Sequence, residues 1–366
     1  MRGRRRRRLR SRLANCHARC QESCCPGGPV TEPVARPDAA QRAENVTRVA
    51  AIDCGTNSVR LLLADIGDGR LTDIERRMEI VRLGQGVDRT GMLAPEALER
   101  TFAAMRGYAK LIDAHGAEKV RVVATSATRD ARNQAEFVNG VVEIFGVVPE
   151  VISGDEEAQL SFVGATRDLV ELRPARPYLV VDIGGGSTEF VLGTSSVEAA
   201  RSIDIGCVRM TERHLRDGDP ERRGTDPAAI GPQGAPTPEQ VADAVADIDA
   251  QLAAVREVVP VDQARTLVGL AGSVTTVAGM ALDLPEYDPA RIHLSRITAA
   301  QVHEVTRRLL RSTHDERAAI GVMHPGRVDV IGAGALILDR IMREYGFGAV
   351  VVSEHDILDG IAWSLV

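Results

Sequence analysis

At 366 residues the chain is long enough for two domains, each with a sizeable core. Aromatic residues make up only 3%, which leaves few platforms for stacking bases, and no run nears the roughly 18 apolar residues of a membrane span, so specific nucleic-acid binding and membrane insertion are both disfavoured. The formal charge of −6 is uneven: residues 1–48 carry +8 and the remainder −14, so a polyanion bound to the body must be held by local cations, amide dipoles and a metal against the overall field.

Residues 1–47 are Arg-rich, then Cys-rich, then rich in Pro, Ala and Gly, the composition of a disordered tail. The run from Arg2 to Arg12 reads either as a contact for polyphosphate or nucleic acid or as a solvated extension. No apolar segment follows it, so it is not read as a secretory signal, and the expected compartment is the cytoplasm. Cys16, Cys20, Cys24 and Cys25 lie there with His17, but without paired C-x₂-C spacing a zinc site is disfavoured.

The body opens with a predicted hairpin, Val49–Asp53 and Ser58–Ile66, joined through Cys54-Gly55-Thr56-Asn57. Cys54 reads as a small core residue rather than a nucleophile. A strand over Arg70–Leu83, a helix over Pro95–His115 and a buried strand over Lys119–Thr125 follow. The strand runs into a helix through Thr125-Ser126-Ala127-Thr128-Arg129-Asp130. That junction is either a phosphate grip, with Arg129 beside a helix N-terminus, or an ordinary capped helix. The same duality holds for Ser153-Gly154-Asp155-Glu156-Glu157. Acids in a first helical turn complement the helix dipole, but one of them could equally activate water.

The stretch around which the chain is organised is Tyr178–Leu192. A β-branched run ends in Asp182, then come Ile183-Gly184-Gly185-Gly186-Ser187-Thr188-Glu189, then apolar residues again. It predicts strand, tight turn, strand, with the glycines giving access to positive φ and leaving bare amides as an anion cradle. An acid at the strand end is placed to hold a divalent cation. With Asp53 set on Asp182, Gly55 falls on Gly184 and Ser58 on Ser187. Two such hairpins predict two related lobes with a metal–polyanion site in the cleft between them.

Farther on, a strand over Val197–Asp204, a helix over Gly206–Leu215 and a disordered loop over 217–238 are expected. A helix over Pro238–Val259 and a strand over Arg265–Leu270 come next. Ala271-Gly272-Ser273 then opens a helix suited to phosphate. Helices over Thr298–Leu310 and Val330–Glu344, a strand over Val350–Val352 and a helix over Asp356–Leu365 close the chain. Strands alternating with helices in two halves imply a two-lobed α/β fold, and the absence of G-x₄-G-K-[ST] argues against a P-loop enzyme.

Five ordered stretches, AIDCGTNSVRLLLAD, TSATRDARN, VISGDEEAQLSF, VVDIGGGSTEF and GLAGSVTTVAGM, with the ending SEHDILDGIAWSL, resemble the exopolyphosphatase / guanosine pentaphosphate phosphohydrolase (Ppx/GppA) family of the sugar kinase, Hsp70 and actin superfamily. The resemblance implies two actin-like (ribonuclease H-like) lobes, residues 48–172 and 173–366, with the active site between them. It implies Glu157 as general base and Glu189 as the residue orienting water or metal. Asp53 and Asp182 would serve Mg²⁺, with Mn²⁺ as the alternative. Gly55, Thr56, Asn57, Ser58, Gly184, Gly185, Gly186 and Ser187 would form the phosphate loops, joined by Arg129, Gly272 and Ser273. The implied reaction is hydrolysis of terminal phosphoanhydrides of inorganic polyphosphate. Guanosine pentaphosphate hydrolysis is the alternative, and a superfamily kinase or a (p)ppGpp-binding sensor is a weaker one. Ending at Val366, the chain resembles short members, which implies a homodimer and a preference for shorter polyphosphates.

Overall fold

The structure, a computed structural model, describes residues 46–215 and 235–366. The tail with its Cys16–Cys25 cluster and most of the 217–238 loop lie outside them. The described residues fall in one compact unit, Asn45–Val366.

Two sheets carry the fold. In the first, β1 (Thr47–Cys54), β2 (Ser58–Gly67) and β3 (Arg70–Ile80) form an antiparallel meander. The helix α1 (Pro95–His115) returns the chain to β4 (Lys119–Ala124), parallel to β1. Next come α2 (Ser126–Asp130), α3 (Gln134–Phe145), β5 (Glu150–Val151) and α4 (Gly154–Thr166), giving the order β3-β2-β1-β4-β5. The second sheet repeats this plan. A meander of β6 (Tyr178–Ile183), β7 (Thr188–Gly193) and β8 (Val197–Ile203) is followed by α5 (Cys207–Met210), whose last turn widens into a π-helical turn over Thr211–Leu215. After α6 (Pro238–Arg256), β9 (Thr266–Leu270) lies parallel to β6. It is succeeded by α7 (Ala271–Ala281), β10 (Arg296–Thr298), α8 (Ala299–Arg311), α9 (Ile331–Glu344), β11 (Ala349–Val352) and α10 (Ile357–Trp363). The order is β10-β11-β9-β6-β7-β8, the same five-strand plan with β10 added at the edge. The two-lobed α/β expectation is met.

Local chemistry accounts for the elements. The central strands β1 and β6 are buried on both faces and read as near-continuous apolar runs. Pro95 starts α1, and Gly116, at φ 65°, stops it in the left-handed region. Thr237 and Gln240 cap α6 reciprocally. One face of the first sheet packs Ile52, Leu61 and Leu63 against Met105, Tyr108 and Phe137 of α1 and α3. Its other face packs Ala51 and Leu62 on Leu358 and Ile361 of α10, so the last helix of the chain lies on the first sheet. The second sheet receives α4 through Phe162 against Val180 and Val191, and its far face packs Phe190 and Leu192 against α7 and α9. The helices α4 and α10 cross between the sheets at two glycines. A Cβ on Gly164 would fall 1.8 Å from the Asp356 carbonyl oxygen, and one on Gly360 2.0 Å from that of Leu160.

Candidate active site

The two hairpin turns meet. In each, the first glycine donates its N–H to the carbonyl of the serine that ends the turn: Gly55 to Ser58 and Gly184 to Ser187, both at 3.0 Å. The glycines were expected to serve positive φ, but Gly55, Gly184, Gly185 and Gly186 are not among the positive-φ glycines. Their role is close approach. A Cβ on Gly185 would stand 2.8 Å from Thr56 Cβ, and one on Gly186 2.6 Å from Ser126 Oγ. Thr56 Oγ1 and Ser126 Oγ are themselves 2.9 Å apart. Bare backbone is therefore what lets the second turn seat on the first.

A cavity of about 110 Å³ opens where they meet. Its wall includes Asp53, Gly55, Thr56, Asn57, Ser58, Glu157, Asp182, Gly184, Gly185, Ser187, Gly272 and Ser273, from both sheets. Gly272 and Ser273 stand in the first turn of α7, behind Ala271, which is held at φ 66° at the junction with β9. The first amides of a helix lack intrahelical partners, a chemistry that suits an anion. Arg129, Glu189 and Gly186 do not line the cavity and stand behind its wall. Arg129 Nη1 donates to the Ile152 carbonyl at 2.8 Å and to Glu157 Oε2 at 3.2 Å, fixing the carboxylate that does line it.

The buried acids are held by short hydroxyl contacts. Ser161 Oγ donates to Asp182 Oδ2 at 2.7 Å, and Ser202 Oγ donates to Glu189 Oε1 at 2.7 Å. Their protonation equilibria report crowded negative charge. Burial, then the Glu189 carboxylate, push Glu157 well above the usual range, with Arg129 opposing. Burial, then Asp182, raise Glu189 to about 8. Burial, then Asp356, raise Asp182 to about 6. Asp53 is also raised by burial, with Arg60 opposing. Asp53 Oδ1 is buried with no hydrogen-bond partner. An orphaned oxygen amid carboxylates that resist ionisation fits a divalent cation, and an all-oxygen donor set suits Mg²⁺ or Mn²⁺.

Sequence reasoning missed several participants. Arg60, opposite Asp53 across the first hairpin, donates to Asp53 Oδ2 from Nε at 2.9 Å and Nη2 at 2.6 Å, and its Nη1 donates to Asp356 Oδ2. Burial works against the cation, but Asp356 and Asp53 outweigh it; burial also pushes Asp356 up, and Arg60 together with the Leu358 amide and Arg76 holds that acid below its usual value. Arg327, from the turn Pro325–Arg327, lines the cavity with its guanidinium over Gly272. Its Nη1 donates to Thr276 Oγ1 at 3.3 Å, and among the described residues no carboxylate pairs with it. The cue for Arg60 was available, since it occupies the hairpin position that Glu189 holds in the second copy. No local pattern marks Arg327. Cys54 is core, as expected, and burial raises both Cys54 and Cys207, so neither is poised as a thiolate.

Comparison with known proteins shows the family. The model of the Ppx/GppA phosphatase family matches residues 62–366. The chain is 48% identical over 333 residues to Exopolyphosphatase 2 of Mycobacterium tuberculosis, covering 87% of this chain and 99% of that one. It is 27% identical to a putative exopolyphosphatase of Haemophilus influenzae, covering 88% of this chain and 92% of that one. Among solved structures, an exopolyphosphatase-like protein superposes with a TM-score of 0.81 at 40% identity, covering 87% and 98% of the two chains. An Aquifex aeolicus Ppx/GppA enzyme superposes with a TM-score of 0.70 at 33% identity, covering 87% and 99%. Family match, sequence identity and superposition agree, and the chain belongs to the Ppx/GppA phosphatase family.

Proposed function

We propose that the protein is an exopolyphosphatase that hydrolyses the terminal phosphoanhydride of inorganic polyphosphate and releases orthophosphate. The observation that carries this reading is Glu157: a carboxylate in the cavity wall, raised by burial and by Glu189, and oriented by Arg129 across from the two amide turns. The identity to an exopolyphosphatase over nearly its whole length supports the same substrate class.

A terminal phosphoryl group seated on the amides of Gly55–Ser58 and Gly184–Ser187 has its oxygens held where charge shifts in the transition state. A divalent cation, Mg²⁺ or Mn²⁺, held by Asp53 and Asp182 would neutralise charge on those oxygens. Glu157 Oε2 is committed to Arg129, which leaves Oε1 to take the proton of an in-line water. The water oxygen bonds to the terminal phosphorus, the bridging P–O bond breaks, and the shortened chain departs. General-base help of this kind is typically worth about 10²- to 10⁴-fold. Glu189, fixed by Ser202, keeps the basicity of Glu157 high and orients the water or cation from behind the wall. Arg327 and the α7 amides at Gly272 and Ser273 provide positive potential for the next phosphoryl unit.

On this reading the functional lobes span residues 48–172 and 173–366, with α10 returning to lie on the first sheet. The protein works in the cytoplasm as a homodimer; among the described residues no helix is long and apolar enough to cross a membrane. Guanosine pentaphosphate offers a comparable terminal anhydride and is the competing substrate. The test is orthophosphate release from short polyphosphate, long polyphosphate and guanosine pentaphosphate side by side. Release from polyphosphate is expected. Release from guanosine pentaphosphate alone would replace the proposal.

A further inference from the structure

Away from the cleft, three segments bring Asp168, His293 and His355 together. Asp168 follows α4, His293 precedes β10, and His355 lies between β11 and α10. One ligand atom from each lies within 4.8 Å of the other two, and all three residues are half-buried. His355 Nδ1 contacts Asp168 Oδ2, His293 Nε2 stands 3.8 Å from the same oxygen, and the two imidazole centroids are 4.6 Å apart. We propose that Asp168, His293 and His355 form a second, structural metal site that takes a transition-metal ion such as Zn²⁺ or Co²⁺.

The donor chemistry separates this site from the cleft. Two imidazoles and one carboxylate suit Zn²⁺ and Co²⁺, whereas Mg²⁺ prefers oxygen ligands and keeps its waters. Metal–ligand bonds of about 2.0–2.1 Å require the three donors to draw in from their present spread. Each side chain is partly exposed, so that contraction is open to them, and solvent supplies the remaining coordination. Two bonds must be exchanged. His355 Nδ1–H donates to Asp168 Oδ2, and its proton moves to Nε2 to free Nδ1 for the metal. The Glu354 N–H donates to His293 Nδ1 at 3.2 Å, so Nε2 gives its lone pair only once the ring proton has moved to Nδ1 and this amide has turned away. The metal–nitrogen bond replaces that long hydrogen bond. Binding ties the end of α4 to the segment leading into α10. The next residue in that segment, Asp356, holds Arg60 in the cleft.

The test is equilibrium dialysis of the full chain against Co²⁺ in excess Mg²⁺, which keeps the cleft acids occupied. Bound cobalt per chain is read for the wild type, Asp168→Asn and His355→Ala, with the visible spectrum of each. The unaltered chain is expected to bind one more cobalt than either variant. It should also show d–d absorption that the variants lack and that persists when tail cysteines are blocked by alkylation. Equal cobalt counts in all three proteins would overturn the proposal. So would a wild-type spectrum that vanishes entirely on alkylation, a readout that needs no variant to fold.

Discussion

The two hairpins share a backbone and differ in charge. Asp53 and Asp182 end equivalent strands, and both turns close through a 3.0 Å amide bond. Across the strand from Asp53 stands Arg60; across from Asp182 stands Glu189. The first hairpin therefore carries its own counter-charge and passes part of it to Asp356. The second adds a like charge, and with Glu157 it accumulates carboxylates that burial and mutual repulsion keep from ionising. One cross-strand position thus divides a repeated motif into a half whose acid has a local counter-charge and a half in which like charges crowd.

Glu157→Gln should have the largest effect, lowering kcat by about 10²- to 10⁴-fold while polyphosphate binding by calorimetry persists. Loss of binding instead would make Glu157 a structural residue. Arg60→Met comes next: it leaves Asp53 and Asp356 buried without their partner, and removing one member of a buried pair costs about 3–5 kcal/mol. A fifth of the Arg60 side chain is exposed, so the lower end is expected in thermal or urea unfolding. Glu189→Gln at the matching position should not destabilise the metal-free protein, and equal losses in the two variants would contradict the asymmetry.

Glycine substitutions sharpen the same point at smaller magnitude. Gly185→Ala places a Cβ 2.8 Å from Thr56 and should cost about 1–3 kcal/mol by overpacking. For Gly55→Ala the nearest atom is 3.5 Å away, and stability should be close to wild type. A reversed order in unfolding experiments would show that the turns do not abut as described.

The smallest effect is in pH dependence. Glu189 is raised to about 8 from an ordinary 4.5, so between those values the folded state binds more protons than the unfolded state. Stability of the metal-free protein should then fall as pH rises through that window. Glu189→Gln should flatten the slope, and so should Mg²⁺, by favouring the ionised carboxylates. A metal-free stability that rises across the window and is unaffected by the variant would contradict the crowded-acid description.

Much of this was legible in sequence. The hairpins announce themselves because β-branched runs end in an acid followed by glycine and small polar residues, and the two-lobed plan follows from finding that pattern twice. Most of the motif residues converge because they lie in the two hairpin turns or in the first turn of a helix, whereas Arg129, Glu189 and Gly186 stand behind the cavity wall. The rest depends on tertiary contact. The crossing of α4 and α10 is set by Gly164 and Gly360, glycines inside helices that no local pattern marks. The three-residue β10 is too short for periodicity to show. Arg327 reaches the cavity from a turn distant in sequence, and the purpose of the turn glycines is visible only once the second hairpin is laid on the first.

On the proposed reading, water activated by Glu157 attacks the terminal phosphorus of polyphosphate. Turnover in ¹⁸O-labelled water tests it most directly. One solvent oxygen is expected in each orthophosphate released and none in the shortened chain, with release falling away in Glu157→Gln. Label in the remaining polyphosphate, or undiminished release by the variant, would contradict it.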